Sequence, residues 1–174
     1  VRFNDGIARG SSATLNRPEL SGDDMAVLQY TVGTTGVSKG AVLLHRNLVA
    51  NVLQNEAWSA PLTHTIPTGE QPSIVCALPL YHIFAFTYCM MQSMRLGGKL
   101  ILIANPRDLP AMFQELSKHR IHLMPAVNTL FNGMLNHPGF NTVDWSHLVG
   151  ATGGGSAVQA SVARLWLQKT GRPI

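Results

Sequence analysis

Charge is scarce in this sequence. Asp, Glu, Lys and Arg make up only 13% of its 174 residues, whereas hydrophobic residues make up 45%. This apolar content excludes a disordered chain, and the length suffices for one domain around one core. The charged fraction is nevertheless low for a free-standing soluble domain. We therefore expect further polypeptide, a partner or lipid to cover part of the surface.

Clusters of basic residues are also missing. The 13 Lys and Arg give a net charge of +4, but they are scattered singly and no aromatic residues alternate with them. A nucleic-acid interface needs a clustered basic patch, so no nucleic-acid partner is predicted. The small basic surplus fits an anionic small ligand and a negatively charged membrane surface equally well.

Cysteines and long apolar runs are few. Cys76 and Cys89 both lie inside apolar runs, which is typical of buried thiols in a reduced, cytoplasmic protein. The longest apolar run, residues 83–94, is shorter than the ~20 residues that span a bilayer and predicts a buried helix. Contact with the inner face of a membrane and a homo-oligomeric state are left open by these patterns.

The two ends of the sequence look like internal positions of a longer chain. The sequence begins at Val1 without a signal-peptide pattern, and it ends on "TGRPI", which reads like the opening of a strand. We expect both ends to be cuts in a longer protein.

Strand-like and helix-like segments alternate along the chain. The predicted strands cover residues 26–31, 41–45, 73–79, 99–104, 122–124 and 147–152; the predicted helices cover residues 46–58, 107–119 and 127–135, with an apolar helix from residue 82 and a last helix after residue 156. Residues 61–72 are predicted to form a surface loop. Two of these helices have a predicted apolar face: in the helix over residues 107–119 it consists of Leu109, Met112, Phe113 and Leu116, and in the last helix of Val158, Val162, Leu165 and Trp166. Repeated strand–loop–helix units predict an α/β fold with a mostly parallel, helix-covered sheet. Residues 1–24 show little periodicity and are predicted to connect to a domain over residues 25–174.

Three polar loops follow predicted strands, at residues 32–39, 79–82 and 153–156. Ligands of parallel α/β sheets bind at the carboxyl ends of the strands. The three loops therefore predict one ligand site.

The loop in "QYTVGTTGVSKGAVLLHRN" combines threonines, glycines and one lysine. Glycines let backbone N–H groups approach an anion, and Lys39 adds a positive charge suited to a phosphate. Ser38 precedes Lys39 and Gly40 follows it, so the Gly-Lys-Ser/Thr order of a Walker A loop is not met. The loop also leads into a strand and not a helix, which argues against a dinucleotide fingerprint. By composition alone, a flexible hairpin with a solvated lysine remains the alternative.

The order of letters in this loop resembles the nucleotide-binding signature of the adenylate-forming superfamily, Tyr-Thr-x-Gly-Thr-Thr-Gly-x-x-Lys-Gly. Two further segments, "ALPLYHIFAF" and "GATGGGSAVQ", resemble later motifs of the same superfamily. "LGGKLILIANPRDLP" and "VNTLFNGMLNHP" are similar to bacterial long-chain fatty-acid–CoA ligases in particular. The resemblance runs from about residue 18 to residue 174. It implies that residues 25–174 are part of the large N-terminal AMP-binding domain, truncated at both ends.

The resemblance implies a role for each matching residue. The ATP phosphates would be held by Thr31, Gly33, Thr34, Thr35, Gly36 and Lys39. His82 would sit between the adenylate and the acyl chain, and Lys39 and His82 are the predicted catalytic residues. Gly153, Gly154 and Gly155 would line the adenine and the acyl carboxylate through backbone contacts.

The implied activity is the ATP-dependent activation of a medium-to-long fatty acid to acyl-AMP, followed by transfer to coenzyme A. Mg²⁺ would assist the phosphoryl chemistry, and the segment whose Glu binds Mg²⁺ in the family would begin just after Ile174. The chain is therefore not expected to complete the reaction alone. The alternatives are another adenylating enzyme, which activates an amino acid or aryl acid, and a non-catalytic nucleotide- or acyl-binding remnant.

Other residues that attract attention are given structural roles. His119 and His122 span a change from helix to strand and do not present one metal-binding face, so no metal ligand is predicted in this chain. Ser156 lacks the Gly-x-Ser-x-Gly setting of a serine nucleophile because Val158 occupies the last place.

Val32 departs from the signature, which has Ser or Gly there. A β-branched residue suits a positive φ poorly, so we predict that Val32 weakens or reshapes phosphate binding. Val32→Gly should raise the affinity of the intact protein for ATP, measured by isothermal titration calorimetry. An unchanged ATP affinity would refute this interpretation.

Overall fold

The computed structural model describes residues 2–31 and 39–174, apart from the side chain of Thr31. Its strands are β1 (Met25–Thr31), β2 (Lys39–Leu44), β3 (Ser73–Cys76), β4 (Lys99–Leu102), β5 (Leu123–Ala126) and β6 (Gly150–Gly153). Its α-helices are α1 (Phe3–Gly10), α2 (His45–Thr63), α3 (Gln92–Arg95), α4 (Leu109–Leu116), α5 (Asn128–Leu135) and α6 (Ala160–Thr170). A π-helix covers Ala85–Met91, and a 3₁₀ helix covers Pro138–Thr142.

The strands form two separate sheets. Four strands form a parallel sheet in the order β4-β3-β5-β6, whereas β1 and β2 form an antiparallel hairpin. Helices connect the parallel strands, which confirms the predicted α/β class with a mostly parallel, helix-covered sheet. The glycine loop follows a strand, as predicted, but that strand belongs to the antiparallel hairpin and not to the parallel sheet.

The pairing between β3 and β5 is limited to one position, Ile74 opposite Leu123. The N–H of Gly154 bonds to the carbonyl of Ala126 at 3.1 Å, so Ala126 faces β6. Pro125, one residue earlier, faces β3, and its nitrogen has no hydrogen to donate. The ladder between β3 and β5 therefore has no pair beyond Ile74 and Leu123 among the described residues.

An aromatic cluster forms the centre of the main core. The ring of Trp166 on α6 packs edge-on against Phe131, Phe140 and Trp145, with centroid distances of 4.9, 5.7 and 5.4 Å. Val162 and Trp166 are buried and Leu165 packs against the same core, so the predicted apolar face of the last helix is confirmed. The predicted stripe on α4 is confirmed as well, since Met112, Phe113 and Leu116 are buried.

Helix α2 differs most from its predicted bounds. It continues through Pro61 to Thr63, although Pro61 was predicted to begin a loop. The C-terminal turn is held by packing: Leu62 lies against the smaller core cluster around Ile74 and Leu123. At the other end, the side chain of Asn47 accepts a hydrogen bond of 2.9 Å from the N–H of Leu44 and caps the helix.

Helix α1 was not predicted, because residues 1–24 lack an apolar periodicity. All of its residues are exposed, so no core contact selects its sequence. The predicted division between residues 1–24 and residues 25–174 remains a prediction.

The apolar run is helical, as predicted, but its first part has π-helical geometry, Ala85–Met91. Thr87 donates its side-chain hydroxyl to the carbonyl of Ile83 at 2.9 Å in this segment. Within the described ranges, 2–31 and 39–174, no helix is long and apolar enough to cross a membrane. Cys76 and Cys89 are both buried and unpaired, as expected of reduced thiols.

We predict that Trp166→Ala lowers the free energy of unfolding by about 3–5 kcal/mol, because it empties the centre of the aromatic cluster. Trp166→Phe should cost only about 1–2 kcal/mol. The Nε1 atom of Trp166 has no hydrogen-bond partner among the described residues, so the smaller ring strands no acceptor. Urea denaturation of the intact protein measures both values, and equal losses for the two variants would contradict the prediction.

Candidate active site

Two of the three predicted site loops lie at the same edge of the parallel sheet. Residues 79–82 follow β3, and residues 153–156 begin at the last residue of β6. β3 and β6 flank β5, and all three run parallel. The carboxyl ends of these strands therefore bring the predicted His82 segment and the predicted glycine segment together.

His82 lies in the turn before the apolar helix, with its side chain exposed to solvent. Its Nδ1 accepts a hydrogen bond of 3.2 Å from the N–H of Phe84, and its own N–H donates to the carbonyl of Pro79 at 2.9 Å. The ring thus caps the start of the helix. Because Nδ1 accepts this hydrogen bond, the neutral ring carries its proton on Nε2. Nε2 is left to face outward as a donor.

Gly153, Gly154 and Gly155 each meet a close constraint. A side chain at Gly153 would clash with Val158, and one at Gly154 would lie 2.4 Å from the ring of Phe84. Gly155 has φ +79°, a conformation that favours glycine. The run of three glycines is therefore required by close approach and backbone conformation in this structure.

The helix after His82 and the end of β6 are joined by side chains. The ring of Phe84 covers Gly154 and stacks obliquely on Tyr88, with centroids 5.7 Å apart. The hydroxyl of Tyr88 shares a hydrogen bond of 2.9 Å with Thr152 in β6. Burial raises the pKa of Tyr88 above its usual value, although the bond to Thr152 opposes this shift. Tyr88 therefore remains a neutral hydroxyl that ties the two predicted segments together.

The hairpin lies beside the same segments. The side-chain amide of Gln29 on β1 donates to the carbonyl of Tyr81 at 3.0 Å. Thr31 and Lys39 pair with each other at the far end of the hairpin, about 7 Å along β1 from Gln29 at the usual rise of a strand. Lys39 is exposed. The predicted residues Gly33, Thr34, Thr35 and Gly36 lie outside the described residues.

An apolar cavity of about 540 Å³ is lined by residues that follow the carboxyl ends of β3, β4 and β5. Its lining is Ala77, Leu78, Pro79, Pro106, Arg107, Leu109, Val127, Thr129, Leu130 and Gly133. Val127 also lies 3.6 Å from where a side chain of Gly155 would begin, so the cavity adjoins the glycine segment. Its volume is in the range of small-molecule sites.

Most of the residues that line this cavity were not predicted from the sequence. Motif order pointed to residues 79–82, but α5 was predicted only as a helix, and its residues Thr129, Leu130 and Gly133 form one wall. The available signal was their position just after the carboxyl end of β5, where ligands of parallel sheets bind. Phe84 and Thr152 were missed for the same reason, since the contact of Phe84 with Gly154 and the hydrogen bond of Thr152 with Tyr88 depend on the register of β6 beside β5.

The comparison with family models identifies the chain. Residues 4–174 match the model described as AMP-binding enzyme. The chain therefore belongs to the family of AMP-binding enzymes, as the three motifs predicted.

Curated relatives carry one particular name. The chain is 45% identical over 172 residues to the long-chain-fatty-acid–CoA ligase of Salmonella typhimurium. The alignment covers 99% of this chain and 30% of that protein, so the chain spans about three tenths of the length of the relatives it matches.

Solved structures agree with the fold. The inhibitor-bound N-terminal domain of FACL13 from Mycobacterium tuberculosis superposes with a TM-score of 0.71 at 26% identity, over 94% of this chain and 39% of that one. ATP-bound MatB from Rhodopseudomonas palustris gives a TM-score of 0.76 at 25% identity, over 97% of this chain and 32% of that one. The predicted placement of the fold in the N-terminal domain of adenylate-forming enzymes is confirmed.

We predict that Gly154→Ala lowers the free energy of unfolding by about 1–3 kcal/mol, because the added methyl group displaces the ring of Phe84. Gly6→Ala is the matched control, since nothing lies within 4 Å of the added carbon and alanine favours the helix. Thermal and urea denaturation of the intact protein measure both effects. A Gly154→Ala variant as stable as Gly6→Ala would show that Phe84 does not pack on Gly154.

Proposed function

We propose that this chain supplies the nucleotide- and acyl-binding part of an ATP-dependent long-chain fatty-acid–CoA ligase. The enzyme would first join a fatty acid to AMP with release of pyrophosphate and then transfer the acyl group to coenzyme A. Membership of the AMP-binding family and the 45% identity to a named ligase support this proposal. The observation that carries it is the apolar cavity beside the glycine segment.

The position of the cavity suits an acyl chain that ends at an adenylate. Leu78 and Pro79 lead from the cavity to the turn that holds His82, and Val127 leads to Gly155. A carboxylate near His82 and Gly155 would therefore have its hydrocarbon tail in the cavity. This arrangement places a polar reacting end at the sheet edge and an apolar tail among the segments that follow β3, β4 and β5.

The lining favours a fatty acid over an amino acid. Of its ten residues, only Arg107 is charged and only Thr129 carries a neutral polar side chain. An amino-acid substrate would need a buried partner for its ammonium group, and this lining has no carboxylate. Burial of each methylene group in such a site contributes about 0.8 kcal/mol.

Lys39 and Thr31 would act on the phosphates, together with Gly33, Thr34, Thr35 and Gly36. A fixed positive charge and backbone donors stabilise the charge that develops on a phosphoryl group in transfer. The exposed end of the hairpin, where Lys39 pairs with Thr31, supports this role. Mg²⁺ belongs to the proposal as a source of further positive charge, but no residue of this chain is assigned to it.

His82 would orient the substrate through Nε2. Since Nδ1 is used to cap the helix, the neutral ring can donate from Nε2 to an oxygen of the adenylate. Gly153, Gly154 and Gly155 would contribute backbone contacts to the adenine and the acyl carboxylate. Cytoplasmic location and contact with a membrane stay predictions.

The test is fatty-acid-dependent exchange of pyrophosphate into ATP, measured on the intact protein over a series of saturated acids. Medium-to-long acids should support exchange. Gly133→Leu should lower kcat/KM for the longest acids about tenfold and spare short ones, because the new side chain takes the place of roughly two methylene groups. Gly133 tolerates a side chain, since its added carbon would lie 3.7 Å from Leu109.

Asn132→Leu is the matched control, because Asn132 lies on the exposed side of the same helix. It should leave the chain-length profile unchanged. If Gly133→Leu lowered exchange equally for every acid, the cavity would not hold the acyl chain. Absence of fatty-acid-dependent exchange by the unmodified protein would overturn the proposed function itself.

A further inference from the structure

A second group of polar side chains lies at the opposite edge of the parallel sheet. Glu70 precedes β3, His122 directly precedes β5, and His147 precedes β6. Because these strands are parallel neighbours, their amino ends meet at one edge. This group, Glu70, His122 and His147, is called the amino-edge cluster below.

The amino-edge cluster has the spacing of a metal site. One potential ligand atom from each residue lies within 4.8 Å of the others, and Glu70 Oε1 is 3.4 Å from His122 Nε2. Ligand atoms about 2.0–2.2 Å from a tetrahedral Zn²⁺ ion lie roughly 3.3–3.6 Å apart, so the Glu70–His122 pair already has this separation, whereas the widest separation in the cluster would have to shrink by up to about 1.2 Å. Small side-chain rotations of Glu70 and His147, which are both partly exposed, would bring all three atoms into range.

His122 provides an independent sign of a missing ligand. Its side chain is buried, with 3% exposed, and its Nε2 has no hydrogen-bond partner within residues 2–31 and 39–174. The approach of Glu70 Oε1 at 3.4 Å is an ion-pair distance and not a well-formed hydrogen bond, and a buried polar atom without such a bond is costly. The backbone is fixed on both sides, since His122 N–H donates to Ser73 at 3.2 Å and its carbonyl accepts from Val149 at 2.9 Å. Nε2 therefore points into the cluster from a rigid position.

Ser73 offers the support that metal-binding histidines use. Its Oγ lies 3.0 Å from His122 Nδ1 and donates its own proton to the carbonyl of Arg120. In the metal-free ring, Nδ1 instead accepts from the N–H of Ser73 at 3.1 Å, which leaves the ring proton on Nε2. Loading would move that proton to Nδ1, where Ser73 Oγ can accept it, and would break the bond to the Ser73 N–H.

Two charged neighbours modulate the site. Arg120 lies 3.3 Å from Glu70 Oε1 and competes with a cation for that carboxylate. Asp144 lies 3.8 Å from His147 Nε2 and adds negative charge nearby. Arg120 is mostly exposed, with 68% of its side chain accessible, so it can turn into solvent when a metal binds.

We propose that the amino-edge cluster binds one divalent transition-metal ion, with Zn²⁺ as the best fit. Two imidazole nitrogens and one carboxylate oxygen form a set that suits Zn²⁺, with water in the fourth position. Bound metal would tie the chain before β3, β5 and β6 together at the edge opposite the candidate active site. The ion is structural in this proposal and takes no part in adenylation. It revises the expectation that His122 has only a structural role and that the chain holds no metal ligand.

The test is Zn²⁺ titration of the intact, EDTA-treated and dialysed protein by isothermal titration calorimetry, with the Co²⁺-substituted protein followed by visible absorption. We expect one ion per chain, a Co²⁺ spectrum typical of tetrahedral nitrogen and oxygen ligands, and a higher melting temperature with Zn²⁺. His147→Gln and Glu70→Gln should each weaken Zn²⁺ binding at least about tenfold and remove the rise in melting temperature.

His147→Gln is the decisive variant, because its side chain is 32% exposed and its loss leaves the buried packing intact. His122→Gln changes a buried group, so it is interpreted only if its circular dichroism matches that of the unmodified protein. His45→Gln is the control, since His45 begins α2 and lies outside the cluster; its Zn²⁺ affinity should be unchanged. Absence of stoichiometric binding, or equal affinity in His147→Gln and the unmodified protein, would overturn the proposal.

Discussion

The interrupted pairing of β3 with β5 is the constraint on which the candidate active site depends. The two strands pair only at Ile74 and Leu123, and Pro125 has no N–H with which to extend the ladder toward β3. The ladder between them stops there, and the apolar cavity is lined by the segments that follow β3, β4 and β5. β5 and β6, in contrast, stay paired along their whole length. Val127, a lining residue of the cavity, directly follows the fully paired strand β5 and lies beside Gly155 of the glycine segment.

Local periodicity predicted the elements whose faces are buried. The stripes on α4 and α6 were predicted because each helix packs one side against the core. The end of α2 was mispredicted, since packing of Leu62 offsets the lost hydrogen bond at Pro61. Helix α1 was missed because its one apolar pair at helical spacing, Phe3 and Ile7, is too short a pattern to predict a helix, and no residue of it is buried. Prediction succeeded where burial constrains the sequence and failed where tertiary contacts or solvent decide the outcome.

The sequence predicted only those parts of the candidate site that lie in a recognisable motif. The motif around His82 and the three glycines was identified from sequence, and the structure brings those two segments together at one edge. The cavity wall on α5 and the contact of Phe84 with Gly154 depend on which strands are neighbours. The amino-edge cluster shows the same limit, because Glu70, His122 and His147 are far apart in the chain. Only the strand order β3-β5-β6 makes them neighbours.

The strands of the two sheets differ in how deeply they are buried. β3 and β5 are buried along their whole length, whereas Leu28, Tyr30 and Val42 on the hairpin are exposed. Few buried apolar contacts give an element a low local stability. The segments proposed to hold the acyl chain and the adenine thus follow strands that are buried in the core. The strands that carry Thr31 and Lys39 bury few of their side chains. Phosphate and acyl groups would therefore be bound by parts of the chain with unequal rigidity.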